Sequence, residues 1–104
     1  MTLELKLHTE IGSFAGNGTL GNQMRIDKIE PHWENSDKII LNFEGVDSMT
    51  DSFVNAFVGN IVESHPEDFR EKLRFTNCSS LVKTFIKGAL QMAQNRITKQ
   101  REVS

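Results

Sequence analysis

The chain has 104 residues, 38% of them apolar and 25% charged, with 12 basic side chains against 14 acidic ones for a net charge of -2. That length holds one domain, which can bury about two thirds of the surface its unfolded chain exposes. Seven Gly and two Pro exclude collagen-like and low-complexity chains, and the single Cys78 excludes an internal disulfide or a multi-cysteine metal site. The longest uninterrupted apolar stretches are three or four residues, too short for a membrane span or a signal-peptide core, so the expected location is cytoplasmic.

The first element is expected at Thr2 to Leu7, where Leu3, Leu5 and Leu7 alternate with Glu4 and Lys6, the period of a half-buried strand. Residues 12–22 hold Gly12, Gly16, Gly18 and Gly21 with Asn17 and Asn22, which reads as loop with a short strand near Ser13 to Ala15. A helix should follow on the stripe Leu20, Met24, Ile26 and Ile29, stopped by Pro31. After a connector from His32 to Asp37, the run Ile39-Ile40-Leu41-Asn42-Phe43 reads as a central strand buried on both faces.

Ser48 or Thr50 can cap the next helix, whose apolar positions Phe53, Val54, Phe57, Val58, Ile61 and Val62 follow the helical period; its end is expected near Ser64, before Pro66. Lys72 to Phe75 reads as a short strand. Asn77 to Ser80 offer caps for a long last helix with a buried face of Leu81, Val82, Phe85, Ile86, Ala89, Leu90, Ala93 and Ile97, and residues 98–104 are expected to fray. The order predicts an α/β fold over residues 1–104: one domain, with an about four-stranded, mostly parallel sheet packed by three main helices.

Charge is unevenly distributed. Residues 1–71 carry 5 basic and 13 acidic groups, and residues 72–104 carry 7 basic and one acidic, so the two parts differ as -8 and +6. The basic part includes Lys83, Lys87, Arg96, Lys99 and Arg101, a nucleic-acid surface by charge alone; without aromatic residues on its polar face it reads rather as a solvated helix end or an internal complement to the acidic part. Gly16-Asn17-Gly18-Thr19-Leu20-Gly21 matches G-x-G-x-x-G, the loop that brings a dinucleotide's phosphates to a helix start, but it does not directly follow its strand. His8, His32 and His65 lie in separate elements without a metal-pair spacing, and Cys78 before the last helix has no base placed near it. These residues predict no catalytic group, no metal and no cofactor.

The block from Leu41 through Asp47-Ser48-Met49-Thr50-Asp51-Ser52-Phe53 to Gly59 resembles the STAS-like family of unknown function, related to the STAS domains of bacterial anti-sigma factor antagonists. The likeness is clearest over residues 38–64. In the antagonists, the helix after the central strand begins Asp-Ser-Ser-Gly, and its first serine is a phosphorylation switch. The ungapped match puts Thr50 on the Asp, Asp51 on the switch serine, Ser52 on the second serine and Phe53 on the Gly; a shift by one residue makes Ser52 the acceptor instead. The ungapped register keeps Phe53 as a core residue and gives Asp51 a fixed charge where the family has a reversible one. Asn42 replaces the usual strand Asp. The resemblance implies a non-enzymatic regulatory module whose protein partner is a histidine-kinase-like ATPase, with Ser48, Thr50, Asp51, Ser52 and Asn55 as contact positions. The same serine and threonine residues also serve as ordinary helix caps. The alternatives are a small nucleotide-binding protein using Gly16, Gly18 and Gly21, or nucleic-acid binding through the basic last helix.

Overall fold

Strands β1 (Thr2–Lys6), β3 (Lys38–Asn42) and β5 (Leu73–Thr76) form a parallel sheet in the order β1-β3-β5 in the computed structural model, which describes the backbone of residues 1–103 and the side chains of residues 1–99. The register aligns Leu3, Ile39 and Leu73, then Leu5, Leu41 and Phe75. Since side chains alternate across a strand, these six share one face, and Ile39 and Leu41 are fully buried there. The opposite face aligns Glu4, Ile40 and Arg74, with Ile40 only half-buried. The central strand is therefore deeply buried on one face rather than on both, because its neighbours offer charged residues on the other.

A second sheet holds two short parallel strands, β2 (Phe14–Ala15) and β4 (Ser48–Met49). The expected sheet of about four strands is thus two parallel sheets of three and two. The strand near residues 13–15 was expected; β4 was not, Ser48 having read as a helix cap.

Leu7 belongs to a short helix, α1 (Leu7–Ile11), rather than to the first strand. Inside the expected glycine loop, Asn17 caps α2 (Gly18–Met24), and the helix continues through a π-helical turn at Arg25–Ile29 to a 3₁₀ turn at Glu30–His32. Thr50 caps α3 (Asp51–Val54), which runs through a second π-helical turn, Asn55–Gly59, into α4 (Asn60–Ser64). A single turn, α5 (Phe69–Lys72), precedes β5, and Ser79 accepts a hydrogen bond from the Val82 amide at the start of α6 (Ser80–Val103). The stretch expected to fray carries helical backbone to Val103, and Ser104 lies outside the described residues.

The helical run 51–64 forms the centre of the core, between α2 and α6. Phe53, Val54, Phe57, Val58, Ile61 and Val62 are all buried, each large apolar side chain contributing about 1.5 to 3 kcal/mol. α6 buries Val82, Ile86, Ala89 and Ala93 and half-buries Phe85, Leu90 and Ile97, whereas Leu81, expected on this face, is 48% exposed in the first turn.

The connector before β3 is pinned by Trp33. Its indole stacks on the His65 ring at 3.9 Å and donates to Asp68 at 3.0 Å, while Lys72 donates to the Trp33 carbonyl at 2.6 Å. His65 Nε2 lies 2.8 Å from Glu30. No helix among the described residues is long and apolar enough to cross a membrane.

Candidate functional site

Two features that the sequence presents as rivals, the glycine loop and the start of the helix at 51, lie side by side. Pairing of Phe14 with Ser48 and of Ala15 with Met49 delivers both helices from neighbouring strands, α2 from β2 and α3 from β4. The Thr50 amide donates to the Ala15 carbonyl at 2.9 Å, and the Thr50 hydroxyl donates to the Gly16 carbonyl at 3.2 Å. The same hydroxyl accepts from the Phe53 amide at 3.2 Å, the bond expected of a helix cap. Thr50 thus caps one helix and ties it to the approach of the other.

The glycines explain how closely the helices pack. A Cβ built on Gly18 would lie 3.1 Å from the Ser52 carbonyl oxygen, and one built on Gly21 would lie 2.9 Å from that of Phe53. Any side chain at Gly21 would force the two helices apart. At the start of α2, the Asn17 side-chain oxygen accepts from the Thr19 and Leu20 amides at 2.8 and 3.3 Å, occupying donors that a phosphate would need. The G-x-G-x-x-G pattern therefore serves helix packing and capping here.

The five expected contact positions differ in what they present. Asp51 and Ser52, the first two helical residues, are exposed, and neither side chain forms a hydrogen bond or ion pair among the described residues. A carboxylate at this position is also favoured by the unpaired amides and dipole of the helix start. Ser48 and Thr50 are half-buried, one in a strand and one as the cap. Asn55 is half-buried one turn further on; its side-chain oxygen is buried without a hydrogen-bond partner and lies 3.8 Å from the position of a Cβ on Gly59. It faces along the helix, apart from the exposed pair.

Phe14 was missed by sequence reasoning. It is 59% exposed, pairs with Ser48, and its ring covers Gly16, where an added Cβ would collide with it. A lone aromatic residue between Gly12 and Gly16 was the available signal. Phe14 thus lies exposed over the Gly16 turn, to which the Thr50 hydroxyl is tied.

At the C-terminal end of the main sheet, Asn42 links β3 to β1 and to the residue that follows β5. Its amide nitrogen donates to Glu4 at 2.9 Å, and its oxygen accepts from the Glu44 amide and the Asn77 side chain, each at 3.0 Å. An Asn can donate and accept at once, which an ionised Asp in this place could not. Its position beside Gly45, where φ is +86° and the His8 ring packs against the backbone, makes this end a structural junction.

The other sequence signals are dispersed. Arg96 pairs with Glu63 at 2.9 Å, so part of the basic helix complements the acidic part of the same chain; Lys83, Lys87 and Lys99 are exposed, and the Arg101 side chain lies outside those described. Burial pushes the Cys78 thiol pKa up, partly opposed by Lys83, which favours the unreactive protonated form. No group of three or more His, Cys, Asp or Glu side chains among the described residues is arranged to hold a metal ion.

No curated protein and no solved structure matches the chain. The family model for the STAS-like domain of unknown function matches residues 25–83, more than half the chain, and includes all of Ser48 to Asn55. The chain belongs to this STAS-like family of unknown function.

Proposed function

We propose that the chain is a non-enzymatic regulatory module that docks a protein partner through the start of the helical run 51–64. The observation that carries this reading is the confinement of exposure in that run. Between the buried and half-buried residues of a central core helix, solvent reaches fully only Asp51 and Ser52 at the beginning and Ser64 at the end. A charge placed at Asp51 or Ser52 is held on a rigid element and changes the surface potential without disturbing packing.

The likeness to anti-sigma factor antagonists supports a histidine-kinase-like ATPase as the partner class. Phe53 is fully buried, which favours the register with Asp51 at the switch position, since the shifted register puts a core phenylalanine where the family has a serine. In this reading Asp51 supplies one permanent negative charge, and docking is set by that charge and by Ser52. A doubly charged start, as in Ser52→Glu, then repels a partner adapted to the single charge.

The test is capture from native lysate with tagged wild type and Ser52→Glu, followed by identification of bound proteins and intact-mass analysis. The reading predicts a histidine-kinase-like ATPase held by wild type and lost by the variant. Equal retention by both, or no such ATPase with wild type, overturns it. A phosphate mapped to Ser52 would move the switch from Asp51 to Ser52.

A further inference from the structure

We propose that the groove between the free edge of β5 and α6 binds an extended, acidic peptide segment with apolar side chains, at a surface that shares no residue with the helix start. Among the described residues the main sheet ends at β5, whose only ladder is with β3. The Phe43 amide donates to the Thr76 carbonyl at 2.9 Å, so Thr76 turns its backbone groups toward β3. By the alternation of a parallel ladder, Arg74 does the same, and Leu73 and Phe75 point their backbone groups to the outer edge, where the Leu73 carbonyl accepts from the Arg74 guanidinium at 2.9 Å and the N–H and C=O of Phe75 are left open. These groups are a template for one added strand.

Phe75 of this edge strand and the facing residues of α6 line a cavity of about 340 Å³. Its apolar lining comes from Phe75, Ile86 and Leu90, joined by Asn77 and Cys78. On α6, Lys83, Ile86, Lys87 and Leu90 stand at positions one, four, five and eight of a helical stripe, so two ammonium groups rim the apolar strip. Both lysines are exposed and have no ion-pair partner among the described residues. They are one helical turn apart, a like-charge placement that is unfavourable until an anionic group lies between them.

The occupant follows from these elements together. Edge hydrogen bonds require an extended backbone, the apolar strip takes alternate side chains of such a strand, and the paired lysines select carboxylates. A lone fatty acid would satisfy the lysines and the strip but leave the Phe75 backbone groups unused, so a peptide fits the whole surface better.

The probe is a fluorescein-labelled synthetic peptide of alternating Glu and Val, titrated into the full chain at low salt with anisotropy as the readout, while amide chemical shifts map its position. Saturable binding is expected, with shifts at residues 75–78 and 83–90. Lys83→Glu combined with Lys87→Glu should weaken it about tenfold or more, from the loss of two partly screened ion pairs. Both sites are exposed, so the variant should melt as wild type does. A peptide with Pro at its centre, which cannot complete the edge bonds, should bind more weakly than its parent. Absence of binding, shifts elsewhere, equal affinity for the double variant, or equal affinity of the Pro peptide overturns the proposal. Binding of oleate with no binding of the peptide overturns it too and makes the groove an amphiphile site.

Discussion

The helical run 51–64 and helix α6 lie against each other yet meet solvent in opposite ways. The first is enclosed by α2 and α6 and is exposed only at its ends, whereas α6 buries one stripe and exposes the rest along the described side chains. The difference teaches where chemistry can reside in so small a fold. An enclosed helix offers solvent only its ends, and its start, fixed by the Thr50 cap, is held rigidly. A half-exposed helix offers a line of side chains, suited to a groove and less demanding of position.

The largest expected effects test the enclosure itself. Phe57→Ala in the central run should cost about 3 to 5 kcal/mol, through lost burial and a cavity, and Leu81→Ala on α6 should change stability by less than about 0.5 kcal/mol. Urea unfolding of both variants checks this; similar losses would contradict the burial of Phe57 or the exposure of Leu81.

Glycine substitutions sharpen the same comparison. Gly21→Val should destabilise by about 1 to 3 kcal/mol, because its Cβ would meet the Phe53 carbonyl oxygen at 2.9 Å. Gly88 in α6 has open space around it, so Gly88→Ala should stabilise by about 0.5 to 1 kcal/mol through helix propensity. Thermal melting should move in opposite directions for the two, and a matching shift would contradict the packing assigned to α2.

The two caps differ more subtly. Thr50→Ala removes a cap bond and the link to Gly16 and should cost about 1 to 2 kcal/mol, more than Ser79→Ala, which removes the one bond from Val82. Denaturation midpoints decide the order.

The smallest effect concerns Cys78 beside α6. Burial raises its pKa, so the folded chain holds the thiol proton more tightly than the unfolded chain does. Its contribution to stability is complete below the ordinary thiol pKa and is lost as pH rises from there through the raised folded value. Iodoacetamide should modify native Cys78 more slowly than an unfolded cysteine peptide at neutral pH, with the rate rising at a more alkaline pH. A rate equal to that of the peptide would contradict the burial.

The legible parts of the sequence were those with a period or a cap. Six apolar positions announced the central helix, Ile39 and Leu41 announced the central strand, and Thr50 stood where a cap was needed. Ser48 and Met49 were not legible as a strand, because their pairing with Phe14 and Ala15 depends on two loops meeting in space. The glycines misled for a physical reason: Gly18 and Gly21 suggest loop freedom, but they serve the close approach of two helices, which only the other helix reveals. Leu81 misled by lying at the margin of the stripe, beside Val82, which takes the buried place in the first turn. The candidate positions themselves rest on the resemblance to a family, whereas the exposure of Asp51 and Ser52, the buried oxygen of Asn55 and the placing of Phe14 over Gly16 are set by tertiary packing.

The most direct test of the central claim is the comparison of partner capture by wild type and Ser52→Glu, with Lys83→Glu/Lys87→Glu as a control surface and all three checked for equal melting. Docking through the helix start predicts a histidine-kinase-like ATPase retained by wild type and by the lysine variant, and lost with Ser52→Glu. Retention by all three, or loss only with the lysine variant, would contradict it.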